Sequence, residues 1–133
     1  MSVALFIVPE RKVEGFDHFV NGKFIGRESD RAVDRLCKEL GVTSLYEFCS
    51  QDPQELADFI EGEGGEIPDH LPALEWFEAT SGLKTVRAML QALEKGAPAF
   101  KDTQGVIGDL KEYEVVLSRL EAAGIRWHMQ VDF

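Results

Sequence analysis

Cysteines, long apolar runs and basic residues are all scarce in this sequence. The only two cysteines, Cys37 and Cys49, sit beside apolar residues, where reduced thiols pack as small hydrophobes, so we expect no disulfide. The longest apolar run, from Val3 to Val8, is too short for a membrane span or for the core of a signal peptide. These absences favour a soluble, cytoplasmic protein without a membrane partner.

Basic residues are outnumbered by acidic ones. Fourteen lysines and arginines against twenty-four carboxylates leave a formal net charge of −10 over 133 residues. The field of such a chain repels phosphate backbones and anionic lipid headgroups, which argues against a nucleic-acid or membrane partner, and it attracts a cationic protein. Because 44% hydrophobic and 29% charged residues match ordinary globular usage, we expect residues 1–133 to fold as a single domain around one core.

Standard catalytic and nucleotide-binding spacings are also missing. The chain has no phosphate loop, no GxSxG, no HExxH, no paired CxxC and no EF-hand loop. The glycine-rich stretch from Gly62 to Glu66 carries carboxylates where a phosphate cradle needs unopposed backbone donors. Neither cysteine has a histidine or a basic cluster nearby to activate it. We therefore expect no cofactor and no metal, and we favour a protein that is not an enzyme.

The strand signals are short and separated. The predicted strands are Val3 to Val8, the two arms of a hairpin at residues 16–20 and 23–25, a short strand at 73–79 and a half-buried strand at 125–133. The first is a continuous β-prone run ended by Pro9, which is typical of a central strand buried on both faces. Asn21-Gly22 suits the tight turn of a hairpin.

Helical signals dominate the middle of the chain. The predicted helices begin at Ser29 or Asp30, at Ser44, at Asp52, at Ser81 and at Thr103, and glycines that suit helix ends follow at 41, 62, 96 and 124. Each start has a residue whose side chain can cap the first free backbone N–H groups. In the helix after Asp52, the spacing of Leu56, Phe59 and Ile60 predicts a buried face.

This order of elements predicts an α+β fold. We expect a small mixed or antiparallel sheet with about five helices packed mainly on one face, and an α/β fold is the alternative. No internal repeat or low-complexity tract interrupts the chain.

The C-terminal strand carries the best candidate for a ligand site. Alternation places Arg126, His128, Gln130 and Asp132 on one face of the strand, with successive members about 6.6 to 6.8 Å apart. The row combines a guanidinium, an imidazole, an amide and a carboxylate, which together suit a polar ligand. His128 and Asp132 are the candidate catalytic pair. The competing and favoured interpretation is an ordinary solvent-facing sheet surface.

Two other histidines also have a carboxylate next to them in sequence, in Asp17-His18 and in Asp69-His70. Imidazole with carboxylate is common material for acid-base catalysis and metal binding. With many acidic residues in the chain, chance produces such neighbours, so we interpret the pairs as independent surface groups.

Arginines and tryptophans supply two further candidates. Arg27, Arg31 and Arg35 recur every four residues and predict a basic flank on the first helix, which interspersed carboxylates convert into an exposed salt-bridge face. Trp76 and Trp127 suit an interface anchor, but core packing is the favoured interpretation. We expect Trp127 to be internal and Trp76 to be partly exposed.

The leading functional hypothesis is a non-enzymatic interaction or regulatory protein whose acidic surface binds a basic protein partner, a description that fits an immunity-type inhibitor. The alternative is a small-molecule-binding or hydrolytic domain. In it, His128 transfers the proton, Asp132 orients His128 and Arg126 clamps an anion. A third hypothesis is a homodimer formed by edge-to-edge pairing of the C-terminal strand.

Overall fold

The computed structural model describes residues 4–67 and 72–132. These residues form two strands, five α-helices and one 3₁₀ turn. In chain order they are β1 (Ala4–Pro9), α1 (Lys23–Arg27), α2 (Asp30–Leu40), the 3₁₀ turn (Leu45–Phe48), α3 (Pro53–Gly62), α4 (Ala79–Glu94), α5 (Thr103–Ala123) and β2 (Trp127–Asp132). The fold is α+β with a small antiparallel sheet, so the predicted class is confirmed and the α/β alternative is not.

Helix ends are the best predicted local features. The Ser29 hydroxyl accepts the Arg31 N–H at the start of α2, and Gly41 ends that helix with a φ of 71°. Asp52 caps α3 by accepting the Gln54 N–H. These signals act within a few residues of the helix end, which is why the sequence predicts them.

The two strands pair antiparallel, with Leu5 opposite Val131 and Ile7 opposite Met129. Leu5 and Ile7 are buried in the core, while the alternate residues Phe6 and Val8 are only half-buried on the outer face. The expectation of a strand buried on both faces is therefore wrong, because only alternate residues of β1 are buried.

The predicted hairpin around Asn21-Gly22 is wrong. Residues 16–22 form an irregular segment and α1 follows at Lys23. The buried carboxylate of Asp109 in α5 accepts the Ile25 N–H at 3.0 Å and the Asn21 side-chain N–H at 3.3 Å. The Ile25 N–H and the Asn21 side-chain N–H are therefore bonded to α5, whereas a hairpin would direct them elsewhere. Contact with this distant helix overrides the turn signal of the local sequence.

The predicted strand at residues 73–79 is also wrong, and α4 begins two residues before the predicted cap Ser81. Within the described part of that segment, only Phe77 pairs as a strand residue, through one bridge to Trp127. The Trp127 indole N–H donates to the Glu78 carbonyl at 3.1 Å, directly before α4. Packing on Trp127 therefore sets where the helix starts.

One continuous core joins the inner face of the sheet to the helices. Helices α4 and α5 pack closely, and Trp127 lies completely buried against them. Gly82 permits this contact, since a Cβ atom there would lie 2.2 Å from Cζ2 of Trp127. None of the helices built from the described residues is both long and apolar enough to cross a bilayer.

Candidate functional site

The four polar residues predicted to share one face of the C-terminal strand do lie on one side of it, but they do not form one open polar face. Arg126 pairs with the carboxylate of Glu10. His128 is only 3% exposed, its ring centroid lies 4.9 Å from that of Trp76, and its Nδ1 is 3.0 Å from the Met129 carbonyl oxygen. Gln130 is half-buried. The expectation of a solvent-facing row is therefore wrong at His128.

Asp132 is poorly placed to orient His128. The two residues are four positions apart on an extended strand, which separates them by about 13 Å. Asp132 is exposed and lines a groove between β1 and the segment before α1, which His128 does not line. The binding and catalytic roles predicted for the row stay predictions.

Of the other candidate sets, the fold divides the arginines between two helices. Asp17 accepts the Phe19 N–H through its side chain, and the Asp69-His70 pair lies outside the described residues. Arg27 belongs to α1 and not to the helix that carries Arg31 and Arg35. Across residues 4–67 and 72–132, no three histidine, cysteine or carboxylate side chains converge as a metal site requires.

The two thiols are free, and Cys37 is buried while Cys49 is half-buried. Burial raises the pKa of Cys37 above its ordinary value and raises the pKa of Cys49 to about 11. A nucleophilic cysteine needs a lowered pKa, so both thiols have the character of packing groups. Trp127 is internal and Trp76 is partly exposed, as predicted.

The edge of β2 that the homodimer hypothesis requires is already paired over part of its length. Trp127 exchanges two main-chain hydrogen bonds with Phe77, and the Met129 carbonyl accepts the Ser50 N–H. Pairing with a second copy along this part of the strand would break those bonds. This edge is therefore covered at residues 127–129, and the homodimer itself stays a prediction.

The acidic charge of the chain is concentrated in one segment. Residues 39–83 contain eleven carboxylates and no lysine or arginine, whereas the rest of the chain has thirteen carboxylates and fourteen basic residues. All ten of these carboxylates whose placement is described are exposed, and none forms an ion pair with the described part of the chain: Glu39, Glu47, Asp52, Glu55, Asp58, Glu61, Glu63, Glu66, Glu75 and Glu78. We call this segment the acidic surface.

Helix α3 lies in the middle of the acidic surface and buries none of its residues. The predicted buried face of Leu56, Phe59 and Ile60 is wrong: Leu56 and Ile60 are half-buried and Phe59 is 53% exposed. The amphipathic spacing is real, but the described residues cover this face only in part, so none of its three apolar side chains is buried. Glu55 and Glu63 stand one helical turn before and after Phe59, so carboxylates flank the exposed ring.

This arrangement suits recognition of a cationic protein surface. An exposed aromatic ring provides an apolar anchor, and flanking charges provide orientation and fast association. Asp52 and Asp58 accept hydrogen bonds from Gln54, but the described carboxylates of this segment form no ion pair with the described residues, so a lysine or arginine of a partner would replace counterions there.

The signal for the acidic surface is present in the sequence itself. The count for the whole chain, −10, conceals a run of forty-five residues without a lysine or arginine. Counting charge segment by segment identifies this run from the amino-acid sequence alone. The exposure of α3 cannot be predicted from the sequence in this way, because the spacing of an apolar helix face is the same whether that face contacts a core or a partner.

Comparison of the chain with protein-family models, with curated proteins and with solved structures found no significant match.

Proposed function

We propose that this protein binds a cationic protein partner through the acidic surface, with α3 at the centre of the contact. The single observation that carries the proposal is the exposed Phe59 on a helix with no buried residue, in a segment whose described carboxylates form no ion pair with the described residues. The proposed function is therefore that of a binding or regulatory protein. One form of that role is an immunity-type inhibitor of a basic partner.

Charge and apolar area make different contributions to the proposed contact. Segregated negative charge steers a basic partner and raises the association rate, and this contribution falls as salt is added. The half-buried Leu56 and Ile60, with the exposed Phe59, supply apolar area that salt does not weaken. A partner that matches both has an apolar side chain within a cluster of lysines and arginines.

The test uses a defined probe, a fluorescent amphipathic peptide of leucine and lysine at helical spacing. Anisotropy titrations measure its affinity for the full chain at low and at physiological salt. We expect saturable binding that weakens with salt and that falls at least fivefold in Phe59→Ser. A triple variant of Glu55, Glu61 and Glu63 to glutamine should weaken binding and reduce its salt dependence.

Matched controls separate a site from general attraction. Val115→Ser removes an equally exposed apolar residue from α5, and glutamine at Glu14, Glu94 and Glu121 removes three exposed carboxylates outside the acidic surface. These controls should retain most of the affinity. Equal losses in both sets of variants, or no saturable binding, would contradict the proposal.

A further inference from the structure

A groove of about 600 Å³ lies beside the outer face of β1. Its apolar lining includes Phe6 and Val8 of the strand and Phe19 and Val20 of the segment before α1. Phe19 is 75% exposed, so a large aromatic ring stands at the groove with most of its surface in contact with water. A concave, mainly apolar site of this volume with a few polar groups is typical of small-molecule binding.

Two groups of opposite charge stand on either side of the first residue of β1. Asp132 is the register partner of Ala4, so the two side chains share one face of the sheet. Lys23 follows Gly22, whose carbonyl accepts the Leu5 N–H at 3.0 Å on the side of β1 away from β2. Lys23 and Asp132 are both exposed, both line the groove, and neither forms an ion pair with the described part of the chain.

The other charged group of the groove lining is already engaged. The carboxylate of Asp17 accepts the Phe19 N–H at 3.0 Å. Lys23 and Asp132 therefore offer one cation and one anion to a ligand, with only the methyl group of Ala4 between them on this face. An α-amino acid carries a carboxylate and an ammonium group on the same carbon atom, and each forms a charge-assisted hydrogen bond with a group of opposite charge.

We propose that this groove binds a free α-amino acid with a large apolar side chain. The carboxylate of the ligand contacts Lys23, and its ammonium group contacts Asp132. Its side chain packs between Phe6 and Phe19. Phe6 is the next residue after Ala4 on this face of β1, about 6.6 to 6.8 Å along the strand, so it lies within reach of the side chain of a ligand held over Ala4. The proposal does not depend on the acidic surface, to which none of these residues belongs.

The probe is L-phenylalanine, titrated into the isotope-labelled full chain and followed by NMR. We expect saturable chemical-shift changes at the amides of Phe6, Phe19 and Lys23. L-Alanine has both charged groups but little apolar area, so it should bind at least fivefold more weakly. Phe19→Ser removes an aromatic contact and should weaken phenylalanine by about twofold to about tenfold. Val115→Ser, an exposed change on α5, should leave the affinity unchanged.

Two analogues test each charged contact by itself. L-Phenylalaninamide lacks the carboxylate and N-acetyl-L-phenylalanine lacks the ammonium group, and each should bind about twofold to about fivefold more weakly than phenylalanine. Lys23→Gln should weaken phenylalanine and its N-acetyl derivative but not the amide. Asp132→Asn should weaken phenylalanine and the amide but not the N-acetyl derivative. Both residues are exposed, so these variants leave the core intact.

Asp17→Asn is the matched control for charge, since it removes a carboxylate from the same groove and keeps an acceptor for the Phe19 N–H. It should leave the binding of phenylalanine unchanged. Equal affinity of the three phenylalanine ligands for the wild type, or tighter binding of the amide, would overturn recognition of an amino acid. The absence of saturable shifts would overturn it as well. Shifts that map to α3, or that disappear in Phe59→Ser, would assign the ligand to the acidic surface and contradict a separate site.

Discussion

Gly82 is the residue on which the contact between α4 and β2 depends. A Cβ at this position would lie 2.2 Å from Cζ2 of Trp127 and 3.1 Å from Cδ1 of Leu117, both buried in the core. Neither neighbour can retreat without disturbing a close-packed interior. A glycine within a helix costs stability, and at Gly82, in the first turn of α4, that cost is offset by the packing of the indole.

We therefore expect Gly82→Ala to lower the free energy of unfolding by about 1 to 3 kcal/mol, measured by urea denaturation. Gly108→Ala is the matched control, since it lies in α5 and nothing stands within 4 Å of the added Cβ. That control should be neutral or stabilising by up to about 1 kcal/mol, because alanine favours the helix. Equal behaviour of the two variants would contradict the packing role.

Asp109 is a second residue on which the fold depends, because it binds a segment far away in the sequence. It is 1% exposed and accepts hydrogen bonds from Ile25 and Asn21, eighty-four and eighty-eight residues earlier in the chain. Removal from water raises the pKa of the Asp109 carboxyl above its ordinary value of 3.8, although these hydrogen bonds oppose the rise. The folded state therefore holds this proton more tightly than the unfolded state does.

The sign of the resulting pH dependence follows from that shift. Relative to Asp109→Asn, the free energy of unfolding of the wild type is greatest below pH 3.8, falls as the pH rises through the raised pKa, and is constant above it. Urea denaturation of both proteins from about pH 3 to about pH 8 measures this difference. Glu121→Gln, an exposed change on the same helix, is the control. A difference between wild type and Asp109→Asn that rises with pH would contradict the shift.

At the scale of elements, α3 differs from the rest of the fold. Helices α2, α4 and α5 each contribute buried residues to the core, whereas α3 contributes none. Burial, and not helix spacing, determines what an apolar residue adds to stability. Phe59 and Phe48 are chemically identical and differ in exposure, at 53% and 3%.

We expect Phe59→Ala to change the free energy of unfolding by no more than about 0.5 kcal/mol, and Phe48→Ala to lower it by about 3 to 5 kcal/mol. Phe48 packs against Phe77 and Trp127, with ring centroids 5.2 and 5.0 Å away. Thermal and urea denaturation of both variants measure the contrast. A large loss in Phe59→Ala would show that α3 is held by its aromatic residue and is not a free surface.

The elements also show which predictions can be made locally. Ser29, Asp52 and Gly124 mark helix ends by interactions within their own helical turn, and those ends are confirmed. The hairpin at Asn21-Gly22 failed because Asp109 and Glu112 of α5 accept hydrogen bonds from that segment. His128 follows strand alternation, yet Trp76, fifty-two residues earlier, is packed against it.

At the scale of the whole molecule, charge is segregated. Residues 39–83 have no lysine or arginine, and the rest of the chain is close to neutral. A folded chain is more compact than an unfolded one, so the excess negative charge of this segment repels itself more strongly in the folded state. The ion pairs of the described residues, Arg87 with Glu114 and Arg126 with Glu10, lie outside that surface.

Salt should therefore stabilise the folded protein by screening this repulsion. We expect the melting temperature to rise as sodium chloride is added to low-salt buffer. Glutamine at Glu55, Glu61 and Glu63 should reduce the rise, with each relieved contact contributing roughly 0.2 to 0.5 kcal/mol. Glutamine at Glu14, Glu94 and Glu121 should reduce it less. The same rise in all three proteins would contradict a localised source of repulsion.

The sequence by itself determined the fold class, most helix ends and the segregation of charge, because composition, capping and periodicity act within a few residues. Only the tertiary structure decided that α3 buries none of its residues, that His128 is buried and that a groove lies beside Ile7. These features depend on which distant segments meet, as Asp109 meets Ile25 and Trp76 meets His128. Local pattern carries no information about such pairs, since a residue's neighbours in space are set by the packing of the complete core.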